Sequence, residues 1–511
     1  MKAKKIILIS WLLLIMGCSS YVPETHEDLM QTKNEIQLQD NFTLGETSDS
    51  KDQNLVFSHE KWWLNYNDPA LNKLMEIVLD SNTDLRVAKL NIQAATAVID
   101  AADHSAFQMG LYAGANVVGT SKTYTKSKAV SRSISGPGGT PLTPTLLSED
   151  ALAGETAYVA GTGIRANYNF DFYDKYENLT KQKAYMAEST KFHSKLIELN
   201  ITTNIAKLYG YYIYLQEEKI NLDKKLSVLV SIEDKVRSTI EFGGGSEDDL
   251  LIIQNKILNL KRYININRFK KESTAETIYS LSSYKNKTEV KKILKDAVYS
   301  HLMDQELLIP DKISSDVIIH RPDVQYYLMM INSQKAKLKS LKSDFYPQVS
   351  IGGDIGYRGL GIDNSFQDFS SLMWSFGPKV YLPIFNLSGI KANYKIADIQ
   401  VNTFIANYNK TINNSIQDIN NKLSSAKVSK INYMNLDIIE KNEEKIYKNS
   451  NLKLENGSIS EYQNLKDHYI YLSSSLHKTQ QVYKLYSDQI DLINSLGGVY
   501  KSKEQVIKEK I

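Results

Sequence analysis

Few residues in this chain are arranged for covalent or metal chemistry. The eight histidines (His26, His59, His104, His193, His301, His320, His468 and His477) are scattered, and no two stand in the HExxH spacing that binds zinc. The single cysteine, Cys18, excludes an intramolecular disulfide and a cysteine-based zinc site. His320-Arg321-Pro322-Asp323 shares letters with a kinase catalytic loop, but the downstream Asn and the glycine-rich loop are missing. Proline in a first turn with an acid beside it reads better as a helix start. Gly243-Gly244-Gly245 is followed by Ser246-Glu247 and lacks the Lys of a phosphate loop. The 11 methionines form no cluster beyond Met329-Met330, which reads as helix packing. The expectation is a protein that is not an enzyme and carries no cofactor. Two features remain: the acid run Glu247-Asp248-Asp249 directly after a triple glycine, and the position of the lone cysteine.

Cys18 closes a distinctive segment. Lys2, Lys4 and Lys5 precede an apolar run from Ile6 to Met16, then Gly17-Cys18, and no acid occurs before Cys18. A basic start, a short apolar core and a small residue at the cut describe a secretory signal over 1–17, too short to span a bilayer. Ile15-Met16-Gly17-Cys18 resembles a bacterial lipobox, in which Cys18 is lipidated and becomes the mature N-terminus; Ser19 after it, by the same resemblance, favours the outer membrane. The only non-protein group expected is therefore an N-terminal lipid on Cys18, a tether rather than a span. Residues 18–58 read as a polar, extended arm. Without the three signal lysines the formal charge of +3 falls to zero, so no basic field is left to attract nucleic acid. No other 18-residue apolar run exists, so no transmembrane helix is expected in the mature chain.

The elements behind these residues come twice. Phe107-Gln108-Met109-Gly110-Leu111 recurs as Phe345-Tyr346-Pro347-Gln348-Val349, and Gly243-Gly244-Gly245-Ser246-Glu247 as Gly457-Ser458-Ile459-Ser460-Glu461. Tyr168-Asn169-Phe170-Asp171-Phe172-Tyr173 recurs as Tyr381-Leu382-Pro383-Ile384-Phe385. The offsets place extra residues of the first copy in 126–153, a Gly/Pro-rich loop. Each copy holds a helix (about 84–107 and 323–345), then two strands. Residues 349–357, 372–382 and 164–172 alternate apolar and polar side chains; the strand near 111–118 is fainter. In 164–172 one face carries Arg165, Asn167, Asn169 and Asp171. Very long helices follow: 173–242 holds no Pro and only Gly210, and 390–456 has neither Gly nor Pro. Val401, Ile405, Tyr408, Ile412, Ile416, Ile419, Leu423 and Ala426 step by fours and threes, the spacing of a supercoiled bundle. The chain returns as helix over 246–268 and 458–495.

Four two-faced strands cannot close by themselves. A sheet in lipid must close, because unpaired edges are too costly there, and barrels begin at about eight strands. Several chains must share one barrel, continued by the helices as a tube; such an object is a conduit. The chain resembles the TolC-like outer membrane factor family, in its lipoprotein (NodT/OprM-like) branch. The resemblance rests on Trp62-Trp63 with Asp68-Pro69-Ala70-Leu71, Asp84-Leu85, Tyr168-Asn169-Phe170-Asp171-Phe172, Arg321-Pro322-Asp323-Val324, Phe345-Tyr346-Pro347 and Leu382-Pro383-Ile384-Phe385, in order from Trp62 to about Leu496. It implies a mostly α fold with a β-barrel portion: a homotrimer with a 12-stranded outer membrane barrel, four strands from each chain, above a helical barrel crossing the periplasm. It also implies a periplasmic adaptor and an inner membrane pump, most often a proton-driven RND transporter. In these terms residues 59–310 are repeat 1, 311–497 repeat 2 and 498–511 a polar tail. The function implied is the passive exit duct of a tripartite efflux system in a Gram-negative bacterium. A type I protein-secretion outlet and a lipid-anchored coiled-coil structural protein are the alternatives.

The family's periplasmic end closes at the helix turns, here Phe242-Gly243 with Glu247, Asp248 and Asp249, and Leu454 with Gly457-Ser458. Asp249, six residues after Gly243, matches an Asp that the family places at the tip, while the second copy has Gln463 there. Where some members carry Tyr and Arg linking neighbouring chains, this sequence has Leu454 and Ile459. Glu247, Asp248 and Asp249 are expected either to form an acidic constriction or simply to complement a helix dipole.

Overall fold

A computed structural model describes residues 41–43, 61–119, 134–135, 141–142, 156–299, 312–314, 317–362, 365–384 and 386–498. The signal segment 1–17, Cys18, nearly all of the arm and the tail lie outside these residues. So does most of the loop 126–153, apart from a short pairing of Ile134–Ser135 with Pro141–Leu142. The chain divides into two compact units, each built from both halves of the sequence.

The first unit comprises residues 94–187 and 330–404 of the described chain. Its centre is a four-stranded antiparallel sheet in chain order: β1 (Phe107–Gly119), β2 (Thr156–Phe170), β3 (Gln348–Ile362) and β4 (Ser365–Tyr381). Among the described residues β1 and β4 are its open edges. The strands are longer than the alternation predicts, most of all where β3 meets β4, because a register shift between Arg358 and Leu360 interrupts the period of two without ending the pairing. Gly163 and Gly356 are directly paired, and a Cβ on either would lie within 2.7 Å of the other strand's backbone, so only glycine permits this approach. β2 ends two residues earlier than expected. Asp171 does not extend its polar face; its carboxylate accepts from the backbone N–H groups of Tyr176 (3.0 Å) and Glu177 (2.9 Å) and starts the next helix. The helical part of this unit closes on small residues. Ser333 and Ser340 donate to the carbonyls of Gln182 (3.0 Å) and Lys175 (2.9 Å), which lets two helices lie close.

Eight helices of eight or more residues are described: α1 (Pro69–Ser81), α2 (Thr83–Asp103), α3 (Lys175–Glu241), α4 (Glu247–Leu281), α5 (Lys287–Asp296), α6 (Pro322–Lys342), α7 (Leu387–Glu455) and α8 (Glu461–Ser495). α3 and α7 have 67 and 69 residues, about 100 Å of helix each at 1.5 Å per residue. Along α7 the buried stripe follows the expected step, except that Ser415 takes the fully buried position and Ile416 is half-buried. α4 runs 13 residues past its expected end, since nothing in 269–281 breaks a helix.

In the second unit (61–93, 188–329 and 405–498 of the described chain) one core gathers Trp62, Trp63 and Tyr66, α1 through Leu74 and Met75, α3 through Ile205 and Tyr209, and α8 through Tyr486 and Ile490. Asp68 caps α1 by accepting from Ala70 (2.9 Å) and Leu71 (3.1 Å), and also accepts from the Tyr209 hydroxyl (2.7 Å). A second core joins α3, α4 and α8 around Leu229, Ile257 and Leu472. The start of α6 is held by Arg321, whose guanidinium donates to both Asp323 oxygens (3.0 and 2.8 Å) and to the Ser495 carbonyl at the end of α8. A cation there suits a helix C-terminus.

Candidate functional site

The two faces of the sheet differ in chemistry and in exposure. On one face the rows Phe107–Tyr168–Ile351, Leu111–Ile164–Ile355–Trp374 and Phe170–Val349–Val380 run across the strands. Leu111 is 85% exposed, and Trp374 and Phe376 are each 72% exposed. So large an unpartnered apolar surface is not stable against water. The opposite face carries Gln108–Asn167–Gly352–Gly377, Gly110–Arg165–Asp354–Ser375 and Asn169–Ser350–Lys379. Arg165, Asp354 and Ser375 are half-buried although, among the described residues, no layer of apolar side chains is packed over them. The side chains of the polar face thus crowd one another while those of the apolar face spread apart, as on the inside and outside of a curved wall. Among the described residues no helix is long and apolar enough to cross a membrane. The apolar sheet face is the surface suited to lipid.

The two glycine turns of the second unit are the same motif. Gly244 N–H donates to Thr239 (2.9 Å) and Gly243 N–H to Ile240 (2.9 Å); Ser458 N–H donates to Lys453 (2.8 Å) and Gly457 N–H to Leu454 (2.9 Å). This is the paired closure of a helix whose next residue is left-handed, and Gly243 (φ 78°) and Gly457 (φ 67°) supply that residue. After the turns, Ser246 caps α4 by accepting from Asp248 N–H (3.1 Å) and Ser460 caps α8 by accepting from Gln463 N–H (3.2 Å). Glu247, Asp248 and Asp249 occupy the exposed first turn of α4, and Phe242 is 92% exposed beside them. Leu454 and Ile459 are half-buried at the second turn. The two hairpins are neighbours, tied by an ion pair between Lys235 on α3 and Glu461 on α8 (2.6 Å).

A polar seam that the sequence did not reveal joins α7 to α8. Lys478 bridges Asp437 (2.6 Å) and Glu440 (2.7 Å), with only 13% of its side chain exposed. Burial alone would push its ammonium down; the hydrogen bonds to these two carboxylates and their negative charges together outweigh that and raise it above its ordinary value. Ser429 donates to Asp488, Asn464 donates to Asn451 (2.6 Å), and the Tyr447 ring stacks on His468 at 4.2 Å. Burial, and after it the charge of Lys224, hold the His468 imidazole below its ordinary value. With polar groups in the seam, the apolar residues of lower α7 (Val428, Ile431, Met434, Ile438, Leu452) lie exposed, as do Leu251, Leu258 and Phe269 on α4. Among the described residues no group of three His, Cys, Asp or Glu side chains could hold a metal ion.

Comparison with known proteins agrees with this geometry. The model of the family described as "Outer membrane efflux protein" matches residues 313–498. A relative in Pseudomonas putida, "Probable efflux pump outer membrane protein TtgC", is 22% identical over 384 residues, covering 74% of this chain and 73% of that protein. A "Probable outer membrane lipoprotein SilC" of Salmonella typhimurium is 21% identical and covers 82% of each chain. The solved structure of the Campylobacter jejuni CmeC outer membrane channel superposes with a TM-score of 0.69 at 19% identity, over 96% of this chain and 97% of that one. The fold is therefore that of TolC-like outer membrane channels.

Proposed function

We propose that this chain, a member of the outer membrane efflux protein family through its residues 313–498, is the outer membrane exit duct of a tripartite efflux assembly. The carrying observation is the sheet: four strands, one apolar exposed face, one polar face and two unpaired edges. Such a sheet completes its hydrogen bonding in lipid only by joining copies of itself, and three copies make a closed 12-stranded barrel. The apolar face then meets lipid and the polar face lines the lumen. The bare apolar stripes on lower α7 and on α4 support the same reading, since each is the surface a neighbouring copy would cover. The recurring order of helix, strand pair and long helical hairpin supports the division into repeats 59–310 and 311–497. The signal 1–17, the lipid on Cys18, the arm 18–58 and the tail 498–511 complete the reading; a lipid-anchored channel in the outer membrane is in keeping with the relative called an outer membrane lipoprotein. An acidic ring of Glu247, Asp248 and Asp249 at the turns, with Phe242, Gly243, Leu454, Gly457 and Ser458 shaping them, forms the periplasmic constriction. A periplasmic adaptor and an inner membrane pump, of the RND type, complete the assembly and choose the cargo.

Detergent-extracted protein should migrate as a heat-modifiable trimer and conduct ions in planar bilayers. Together with an adaptor and pump it should restore export to a strain lacking its own duct. Asp248→Asn and Asp249→Asn should each lower cation preference. A monomer that leaves the membrane once the lipid is removed, and carries no current, would sink the reading in favour of a lipid-anchored spacer.

A further inference from the structure

We propose that Arg165 and Asp354 form a self-cancelling charge collar inside the strand-built part of the duct, and that this cancellation keeps that level of the wall indifferent to the charge of what passes. The inference rests on the reading above, with the polar face turned to the lumen.

One register row contains Gly110, Arg165, Asp354 and Ser375, one residue from each strand. Arg165 and Asp354 are direct cross-strand partners, which places their Cβ atoms about 5 Å apart on the same face. Both are positioned by residues of the edge strands. Tyr112 of β1 passes over Gly163, where no side chain blocks it, and its hydroxyl donates to Asp354 Oδ2 (3.4 Å). The Arg165 guanidinium carbon lies 5.0 Å from the centre of the same Tyr112 ring. From the other edge, the Ser375 hydroxyl donates to Asp354 Oδ1. A cation–π contact and two hydrogen bonds thus fix one positive and one negative charge side by side.

The surroundings are bare. Gly110 shares the row, and Gly352, Gly356 and Gly377 lie in the flanking ones. Gly356 is held by steric need, since a Cβ there would stand 2.3 Å from the Thr162 carbonyl oxygen, but a Cβ at Gly110 or Gly377 would find no atom of this chain within 4 Å. The collar therefore stands on a wall kept low by glycines within its own row and beside it; the other charge described on this face, Lys379, lies two rows away on β4. Three copies place three Arg165 and three Asp354 in alternation around one ring, with no net charge. Removing one kind leaves three like charges against a low-dielectric wall, where they act most strongly on passing ions.

The test uses full-length protein in planar bilayers under a KCl gradient, reading the permeability ratio of K⁺ to Cl⁻. Arg165→Gln should raise that ratio by about twofold or more and Asp354→Asn should lower it by a similar factor, while the double variant returns to the unmodified value. Heat-modifiable migration reports whether each variant assembles. Should the network prove necessary for assembly, Gly110→Asp and Gly110→Lys add a charge to the same row without displacing a neighbour, and must move the ratio up and down respectively. Ratios that do not move, or that move the same way for both signs of charge, overturn the collar. A wild-type protein that carries no current overturns instead the reading of the chain as a duct, and the collar with it.

Discussion

Gly210→Ala sets two physical effects against each other at one buried position of α3. Helix propensity favours alanine over glycine by about 1 kcal/mol in a helix interior, so on that ground alone the substitution stabilises. The geometry opposes it. A Cβ at Gly210 would stand 2.3 Å from Cε1 and 2.6 Å from Cδ1 of Tyr486, far inside van der Waals contact. The ring cannot turn aside cheaply. It is fully buried, it meets the Tyr66 ring edge-on at 5.4 Å, and its hydroxyl donates to the Ala206 carbonyl (3.1 Å), one turn before Gly210 on the same helix. Forcing α3 and α8 apart by an added methyl group falls in the overpacking range of about 1–3 kcal/mol, so after the propensity gain the net effect is a loss of up to about 2 kcal/mol. Circular dichroism of the purified protein should show an apparent melting temperature lower by a few degrees. In a Tyr486→Leu background the clash partner is gone, and the same Gly210→Ala change should become neutral or stabilising. A strong coupling between the two sites follows. A Gly210→Ala protein at least as stable as the unmodified one would refute the argument that the Tyr486 ring, and not the helix, dictates glycine here.

Trp374→Lys places a charge on the apolar sheet face and should cost up to about 2–4 kcal/mol of barrel stability, whereas Ser350→Lys on the polar face should be tolerated; the urea dependence of heat-modifiable migration distinguishes them. Gly243→Ala and Gly457→Ala force a side chain into positive φ and should each destabilise a hairpin by about 1 kcal/mol, seen as faster proteolytic cleavage at that turn. His468 has a depressed pKa in the folded chain, so the unfolded chain binds more protons below the ordinary value of 6.5. Its contribution is fully present above that pH and is lost on acidification toward the lower folded value. Melting temperature should fall with acid over that window in the unmodified protein, and less steeply in His468→Gln.

The elements were largely legible because the chain is built from long, uniform pieces. Ile390 to Asn456 without Gly or Pro could only be a long helix, and it is observed as Leu387–Glu455. Strand ends were less legible, since the register shift at Arg358 and Leu360 breaks the alternation while backbone pairing continues. Phe172 continued the alternation on paper, yet the strand had ended at Phe170, because Asp171 serves the helix that follows. The glycine turns were legible through their spacing from each other. The polar seam was not: Lys478, Asp437 and Glu440 look like any surface charges until α7 and α8 are laid side by side. The row from Gly110 to Ser375 was hidden for a different reason. Arg165 and Asp354 are far apart in sequence, and only the pairing of β2 with β3 makes them neighbours.

The two open edges of the sheet also constrain how the protein is made. A newly translocated chain would carry unpaired backbone groups along Phe107–Gly119 and Ser365–Tyr381, and a broad greasy face between them, through an aqueous compartment. Exposed edges of that kind recruit further strands without limit, so a solitary folded chain is an aggregation hazard. If three chains close one barrel, as proposed above, biogenesis must either keep the strand region unfolded, under the care of a holdase chaperone, until they have met, or couple closure of the ring directly to entry into the bilayer. In either case the long helices, which need no lipid to fold, are free to find their partners first and count the copies before the membrane is breached.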